Sequence, residues 1–291
     1  MLLQILEITA PVFFLALIGY VWRRRGLPFD IGFVSRLSMQ VSTPALIFSV
    51  LSRIEVDPVL FRDLALASLV MYVFIAVVAW ALIRGAGLNQ TTYLAPFIFG
   101  NTGNVGLPIA LFAYGEHGLA LAMIIFAVMA VLSFTVGIWM VTGEGSPLEA
   151  AKQPIFHAAA LGILFAVQGW PVPTVVASTL QMVGQIAIPM MLITLGVAVA
   201  QLDVSDFGRA LWVSLAKAGL CGLAAVAAAG LFGLDDVAAG SLVLQAIMPV
   251  AVTNYLLATR YDAEPEVVAG LVVVSTLASV AILPLTLALL L

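Results

Sequence analysis

Apolar residues run along this chain in blocks of about twenty, divided by short polar or helix-breaking stretches. At 1.5 Å per residue such blocks match the roughly 30 Å hydrocarbon core of a bilayer, so each predicts a membrane-crossing helix. The pattern predicts ten, over about 3–22, 32–51, 61–83, 91–114, 118–141, 155–170, 174–200, 207–232, 236–260 and 265–290. Helical periodicity sharpens none of them, because a buried membrane helix is apolar all round. Punctuation sets the boundaries instead: Arg23 to Pro28, Glu55 to Pro58, Gly143 to Pro147, Trp170 to Pro173 and Asp262 to Pro265. The expected fold class is an all-α polytopic membrane protein.

One block departs from the others. Between Phe97 and Pro108 stand Gly100, Gly103, Gly106 and Pro108, with Asn101, Thr102 and Asn104 among them. Glycine loosens a helix and proline removes a donor, so the fourth helix is expected to break mid-membrane. Backbone unwound at that depth is tolerated only where it faces protein or a wet cavity. The ninth block carries a weaker version, Gln245 to Asn254 around Pro249. Blocks 2 and 7 also correspond, with Thr43-Pro44 in one and Ile188-Pro189 in the other. Similar signals at matching places in two halves predict an inverted repeat, five helices in each.

Composition narrows the class. With 63% hydrophobic residues, 9% charged residues and a mean hydropathy of +1.18, an ordinary soluble domain is excluded. The net charge of −4 comes with no basic stripe, so nucleic acid is not an expected partner; membrane lipid is. Cys221 is the single cysteine, which leaves no disulfide framework and no thiolate metal site. The first apolar run begins at Met1 and is followed by Arg23, Arg24 and Arg25, the reverse of a cleavable leader. Of the basic residues, Arg53 and Arg62 alone fall in even-numbered loops; Arg36, Arg84, Lys152, Arg209 and Arg260 lie with the arginine triplet on the odd side. The positive-inside rule then places both termini outside the cytoplasm. An Ala- and Leu-rich chain without a targeting sequence suits a bacterial inner membrane.

The chemistry concentrates at the breaks. Asn101 and Asn104 supply neutral donors and acceptors where half-helix ends point N–H groups into a cavity, an arrangement suited to a small anion. The same asparagines would also serve to satisfy backbone freed by Gly103, Gly106 and Pro108. Thr102, Gln245, Thr253 and Asn254 are candidates for the rest of a substrate site, or for helix–helix hydrogen bonds. Lys217 lies about 12 Å deeper than Arg209 along helix 8, so it is a candidate to pair with a substrate anion or stand in for a coupling cation; snorkelling toward the interface is the alternative. Glu7, about one turn into helix 1, is a weaker candidate for proton coupling. No carboxylate falls in either break, and neither a metal nor another cofactor is expected.

The motif from Gly100 to Pro108, with Gln245 to Pro249, Ala258 to Tyr261, and Ser275-Thr276 ahead of Leu283-Pro284, resembles the auxin efflux carrier family over essentially the whole chain. Its most specific element is the spacing Asn101, Gly106, Pro108. That family includes plant PIN-type carriers and bacterial dicarboxylate permeases, and the short stretch after helix 5 resembles the bacterial members. The resemblance implies a fold like that of bile-acid transporters and antiporters, in which broken helices 4 and 9 cross. A scaffold domain (1–52 and 153–203; helices 1, 2, 6 and 7) would face a transport domain (57–141 and 206–291; helices 3–5 and 8–10), joined by a short cytoplasmic linker at 142–152. An elevator movement and a homodimer are implied as well. By motif position Asn101 would contact a substrate carboxylate, Thr43 would line the scaffold side with Leu46, Ile188 and Met191, and Lys217 would match a basic position in helix 8.

The expected function is a secondary transporter of small organic anions, carboxylates such as dicarboxylates or auxin-like acids, working by alternating access. A sodium- or proton-coupled carrier of the bile-acid or antiporter type is the alternative. An enzyme is not expected: no His-Glu-x-x-His or Gly-x-Ser-x-Gly occurs, and His157 and Ser178 have no third group to orient them.

Overall fold

A computed structural model describes residues 2–53, 57–142, 153–202, 204 and 206–291. Of the expected linker, all but Thr142 lies outside the described residues, Lys152 included. The chain is all helix among those residues, apart from one isolated antiparallel bridge, Gly100 to Val250. The helices are α1 Leu2–Arg24, α2 Ile31–Leu37, α3 Thr43–Leu51, α4 Pro58–Gly85, α5 Gln90–Ile98, α6 Leu107–Leu132 and α7 Ile138–Thr142. After the linker follow α8 Pro154–Gln168, α9 Thr174–Gln185, α10 Ala187–Gln201, α11 Phe207–Phe232, α12 Asp236–Ala246, α13 Val252–Tyr261 and α14 Pro265–Leu290. By length and composition, six stretches among the described residues are long and apolar enough to cross a membrane. They are Ile5–Arg24, Pro58–Gly85, Thr102–Val141, Thr174–Gln201, Phe207–Phe232 and Pro265–Leu290.

Local chemistry explains most of the ends. The loop acids act as helix caps: Asp30, Asp57, Asp206 and Asp235 each accept a backbone N–H from the first turn they precede, at 2.8–3.0 Å. Asn89 does the same for α5. At the other end, Gly169 and Gly233 take the left-handed conformation that closes α8 and α11. Two π-helical turns, Ser38–Ser42 and Thr102–Gly106, each end two residues before a proline, Pro44 and Pro108. A proline ring crowds the carbonyl four residues back, and the wider i→i+5 turn accommodates it. A third π turn, Ser133–Gly137, has no proline; Gly137 there faces the Phe99 ring, which a Cβ at 137 would approach to 2.8 Å.

Two sets of helix contacts stand out, linked by α1, which also touches α6 and α14. In the first, α1 lies along α10, and α3 packs against α8 and α9. Small residues make these contacts close: Gly19 faces the Ile193 carbonyl, Gly196 the Ala16 carbonyl, and Gly184 the Leu46 backbone. In the second, α11 contacts α4, α12 and α14, while α6 contacts α4 and α12. Alanines carry α11 into that cluster, Ala210, Ala224, Ala225, Ala228 and Ala229 all being buried. Large apolar side chains such as Leu223, Leu231 and Leu289 point outward, at 72%, 74% and 87% exposure, a surface that fits lipid rather than water.

Candidate functional site

The site begins where two helices stop short. Helix α5 ends at Ile98 and the chain resumes helical at Thr102; α12 ends at Ala246 and α13 begins at Val252. The two unwound segments run antiparallel past one another. Pro249 has no N–H, but its carbonyl accepts the Asn101 N–H at 2.6 Å. Gly100 permits the approach, since a Cβ there would stand 2.8 Å from the Met248 carbonyl oxygen. Asn254 reaches back from α13 and donates from Nδ2 to the Phe99 carbonyl at 3.0 Å. The Val250 N–H donates to the Ser275 hydroxyl at 2.9 Å. Unwound backbone at this depth is thus paired by protein, as a low-dielectric interior requires.

Asn101 opens the second half of the break. Its Oδ1 caps the helix by accepting from the Asn104 N–H at 3.2 Å, and its carbonyl accepts from Val105 and Gly106. Its Nδ2 has no hydrogen-bond partner among the described residues, on a residue only 4% exposed. Gly100, Asn101, Gly103 and Asn104 line a cavity of about 130 Å³, and Ala251, Val252 and Thr253 line it from the start of α13. Met39, Phe126, Met129 and Met191 supply apolar walls, with Ser38, Ser133 and Thr194 among them. Among the described residues, no Asp, Glu, Lys, Arg or His lines it. Both resuming helices therefore present their N-terminal ends to one uncharged cavity, where N–H groups and the helix dipole favour a negative ligand.

The carbonyl end of the crossing looks elsewhere. Lys217 is 2% exposed and donates from Nζ to the Phe97 carbonyl at 2.9 Å, so it neither snorkels outward nor lines the cavity. Cys221, one turn on, places Sγ 3.9 Å from the same oxygen.

The other expected residues are placed as follows. Thr102 and Gln245 are fully buried behind the cavity wall; the Gln245 amide lies against Gly106, and its Oε1 and Nε2 have no partner among the described residues. Thr43 is also fully buried, its hydroxyl unpaired among them, and lines neither this cavity nor the next. Pro108 opens α6, and Glu7 is exposed on the flank of α1. Of the four expected scaffold residues, Met191 lines the cavity, whereas Leu46 and Ile188 line a second one of about 350 Å³ with Ser49, Arg53, Glu116 and Gln181. Arg53 donates there to Gln181 Oε1 at 3.4 Å. Sequence reasoning used Arg53 only for orientation and passed over Met39, Met129 and Thr194, which carry no mark that sets them apart from other span residues.

Comparison with known proteins agrees over nearly the full length. A family model described as "Membrane transport protein" matches residues 4–151 and 143–287. An "Uncharacterized transporter" of Methanothermobacter thermautotrophicus is 27% identical over 299 residues, covering 96% of each chain. A second protein of that description, from Methanocaldococcus jannaschii, is 23% identical over 301 residues, 96% of this chain and 97% of its own. A protein of Rhizobium meliloti bearing the name "Putative malonate transporter" is 25% identical over 298 residues, 96% of this chain and 93% of its own.

Proposed function

Since the chain belongs to the membrane transport protein family, that of the auxin efflux carriers, we propose that it is a secondary carrier of small carboxylate anions. The observation that carries this reading is the convergence of two helix N-termini on a cavity where, among the described residues, Asn101 Nδ2 is unpaired and no charged side chain lines the wall. Neutral donors and helix ends can hold a carboxylate and release it again, where a buried lysine or arginine would hold it fast. Asn101, Asn104 and Thr253 are the proposed contacts; Thr102, Gln245 and Asn254 support the walls. The name of the Rhizobium relative is in keeping with a dicarboxylate.

The proposed architecture is ten spans in two inverted halves. Supporting it, the stretch Thr102–Val141 is 40 residues long, about 60 Å as a straight helix and twice the hydrocarbon thickness, yet Gly115 interrupts it at φ 68°. Counting α5 with the first part and α12 with α13 gives two broken spans, the fourth and the ninth. The two packing groups support a scaffold (1–52 and 153–203) and a transport domain (57–141 and 206–291). The cavity lies between α2, α10 and the broken helices, where an elevator movement would carry an anion past a fixed wall. A homodimer, an inner-membrane location and extracytoplasmic termini complete the proposal.

Uptake of labelled malonate, malate and indole-3-acetate into proteoliposomes tests it, wild type beside Asn101→Ala, with and without sodium and pH gradients. Uptake of a dicarboxylate that falls at least about tenfold in the variant is expected, the cost of one hydrogen bond to a charged group. Folded wild-type protein that moves none of the three would remove the carboxylate reading. A response to sodium or proton gradients would favour the coupled alternative.

A further inference from the structure

We propose that Lys217 is a tethered counter-ion for the carbonyl end of α5, which lets the crossing keep its shape without a bound monovalent cation. The inference rests on the crossing alone and not on which substrate is carried.

The last carbonyls of any helix lack intrahelical partners and carry the negative end of its dipole. At a surface, water satisfies them. Here Phe97, Phe99 and Lys217 are 4%, 3% and 2% exposed. Two donors from the second half of the chain take the place of solvent: Lys217 Nζ on the Phe97 carbonyl and Asn254 Nδ2 on the Phe99 carbonyl. Asparagine is neutral, so the compensating charge is that of Lys217. Among the described residues the ammonium pairs with no carboxylate; the ion pairs there are Arg62 with Asp63 and Arg209 with Asp206, and neither involves Lys217. A buried ammonium without an anion is costly, and the partial negative charge of a helix end is what can hold it there.

Carriers built on discontinuous helices commonly satisfy such carbonyl ends with a bound sodium ion or a proton. In this chain a covalently attached cation occupies that place. The crossing is polarised as a result: N-terminal ends face the cavity, and one C-terminal end faces a lysine that does not line it. Lys217 acts on the site by positioning the end of α5, after which the break begins.

The chain supplies its own reporter. Cys221 is its single cysteine, fully buried, and sits beside the same carbonyl oxygen. In purified protein without substrate, wild type is expected to unfold at the same temperature in sodium, potassium, lithium and choline chloride of equal ionic strength. Lys217→Met keeps the length of the side chain and removes its charge. Its Cys221 is expected to react with a membrane-permeant maleimide about tenfold faster than wild type, the effect of one charge-assisted hydrogen bond on local opening. Methylammonium or sodium should slow that reaction again by entering the space beside the Phe97 carbonyl. A purely packing role for Lys217 would give faster labelling that no cation reverses, and that result overturns the proposal. So does labelling at the wild-type rate. Should Lys217→Met not fold, the wild-type series still decides: stabilisation specific to sodium, potassium or lithium means that a mobile cation is needed after all.

Discussion

Asn101 uses the two ends of one amide differently: Oδ1 accepts from the Asn104 N–H, while Nδ2, on a residue lining the cavity, has no partner among the described residues. The two roles can be separated. Aspartate caps a helix as well as asparagine does, so Asn101→Asp should fold with a melting temperature close to wild type. It would also place a carboxylate where an anion is proposed to bind. Anion uptake in proteoliposomes should therefore fall at least about a hundredfold, through like-charge repulsion in a poorly hydrated site. Uptake that survives the change would move the binding site away from Nδ2. The sequence made Asn101 visible because helix-breaking residues surround it. Lys217 was visible as a charge at a certain depth and by family resemblance; its partner, the Phe97 carbonyl, lies 120 residues away and leaves no trace in local pattern.

Whole helices were legible where hydropathy and punctuation agree. Phe207–Phe232 and Pro265–Leu290 fall where the pattern puts them, bounded by an Asp cap, a left-handed glycine and an opening proline. The π turns at Ser38–Ser42 and Thr102–Gly106 were not legible, because they answer a clash between a proline and backbone that the sequence places in the same apolar run. Nor was the α1–α10 pairing, since glycines in membrane helices have many uses. The geometry gives Gly196 a specific one: its Cα side lies against the Ala16 carbonyl, and backbone cannot move aside as a side chain would. Gly196→Ala should lower stability by about 1–3 kcal/mol, the usual penalty for overpacking. Thermal unfolding in detergent would register this, whereas Gly219→Ala, with open space where a Cβ would sit, should stay within about 0.5 kcal/mol of wild type.

At the scale of the molecule, the proposed sliding of one packing group past the other can be arrested. Ala198 on α10 and Leu256 on α13 line the same cavity. Cysteines at both positions, joined by a cleavable bifunctional thiol reagent that spans the cavity, should stop anion uptake, and cleaving the link should restore it. Cys221 is buried and need not be removed first. Undiminished uptake by the cross-linked protein would rule out relative movement of these elements. Which helices pack together was beyond the reach of sequence pattern, which reads each helix but not its neighbours.

That no fixed charge lines the cavity among the described residues also bears on direction. Where none of these residues offsets the charge of what is carried, an anion moved without a companion ion takes its full charge through the membrane field. At 100 mV, inside negative, each negative charge gains about 2.3 kcal/mol by leaving, and a dianion about 4.6 kcal/mol. That corresponds to an outward concentration ratio on the order of a thousandfold, so for such a carrier the resting voltage alone would make it an exporter.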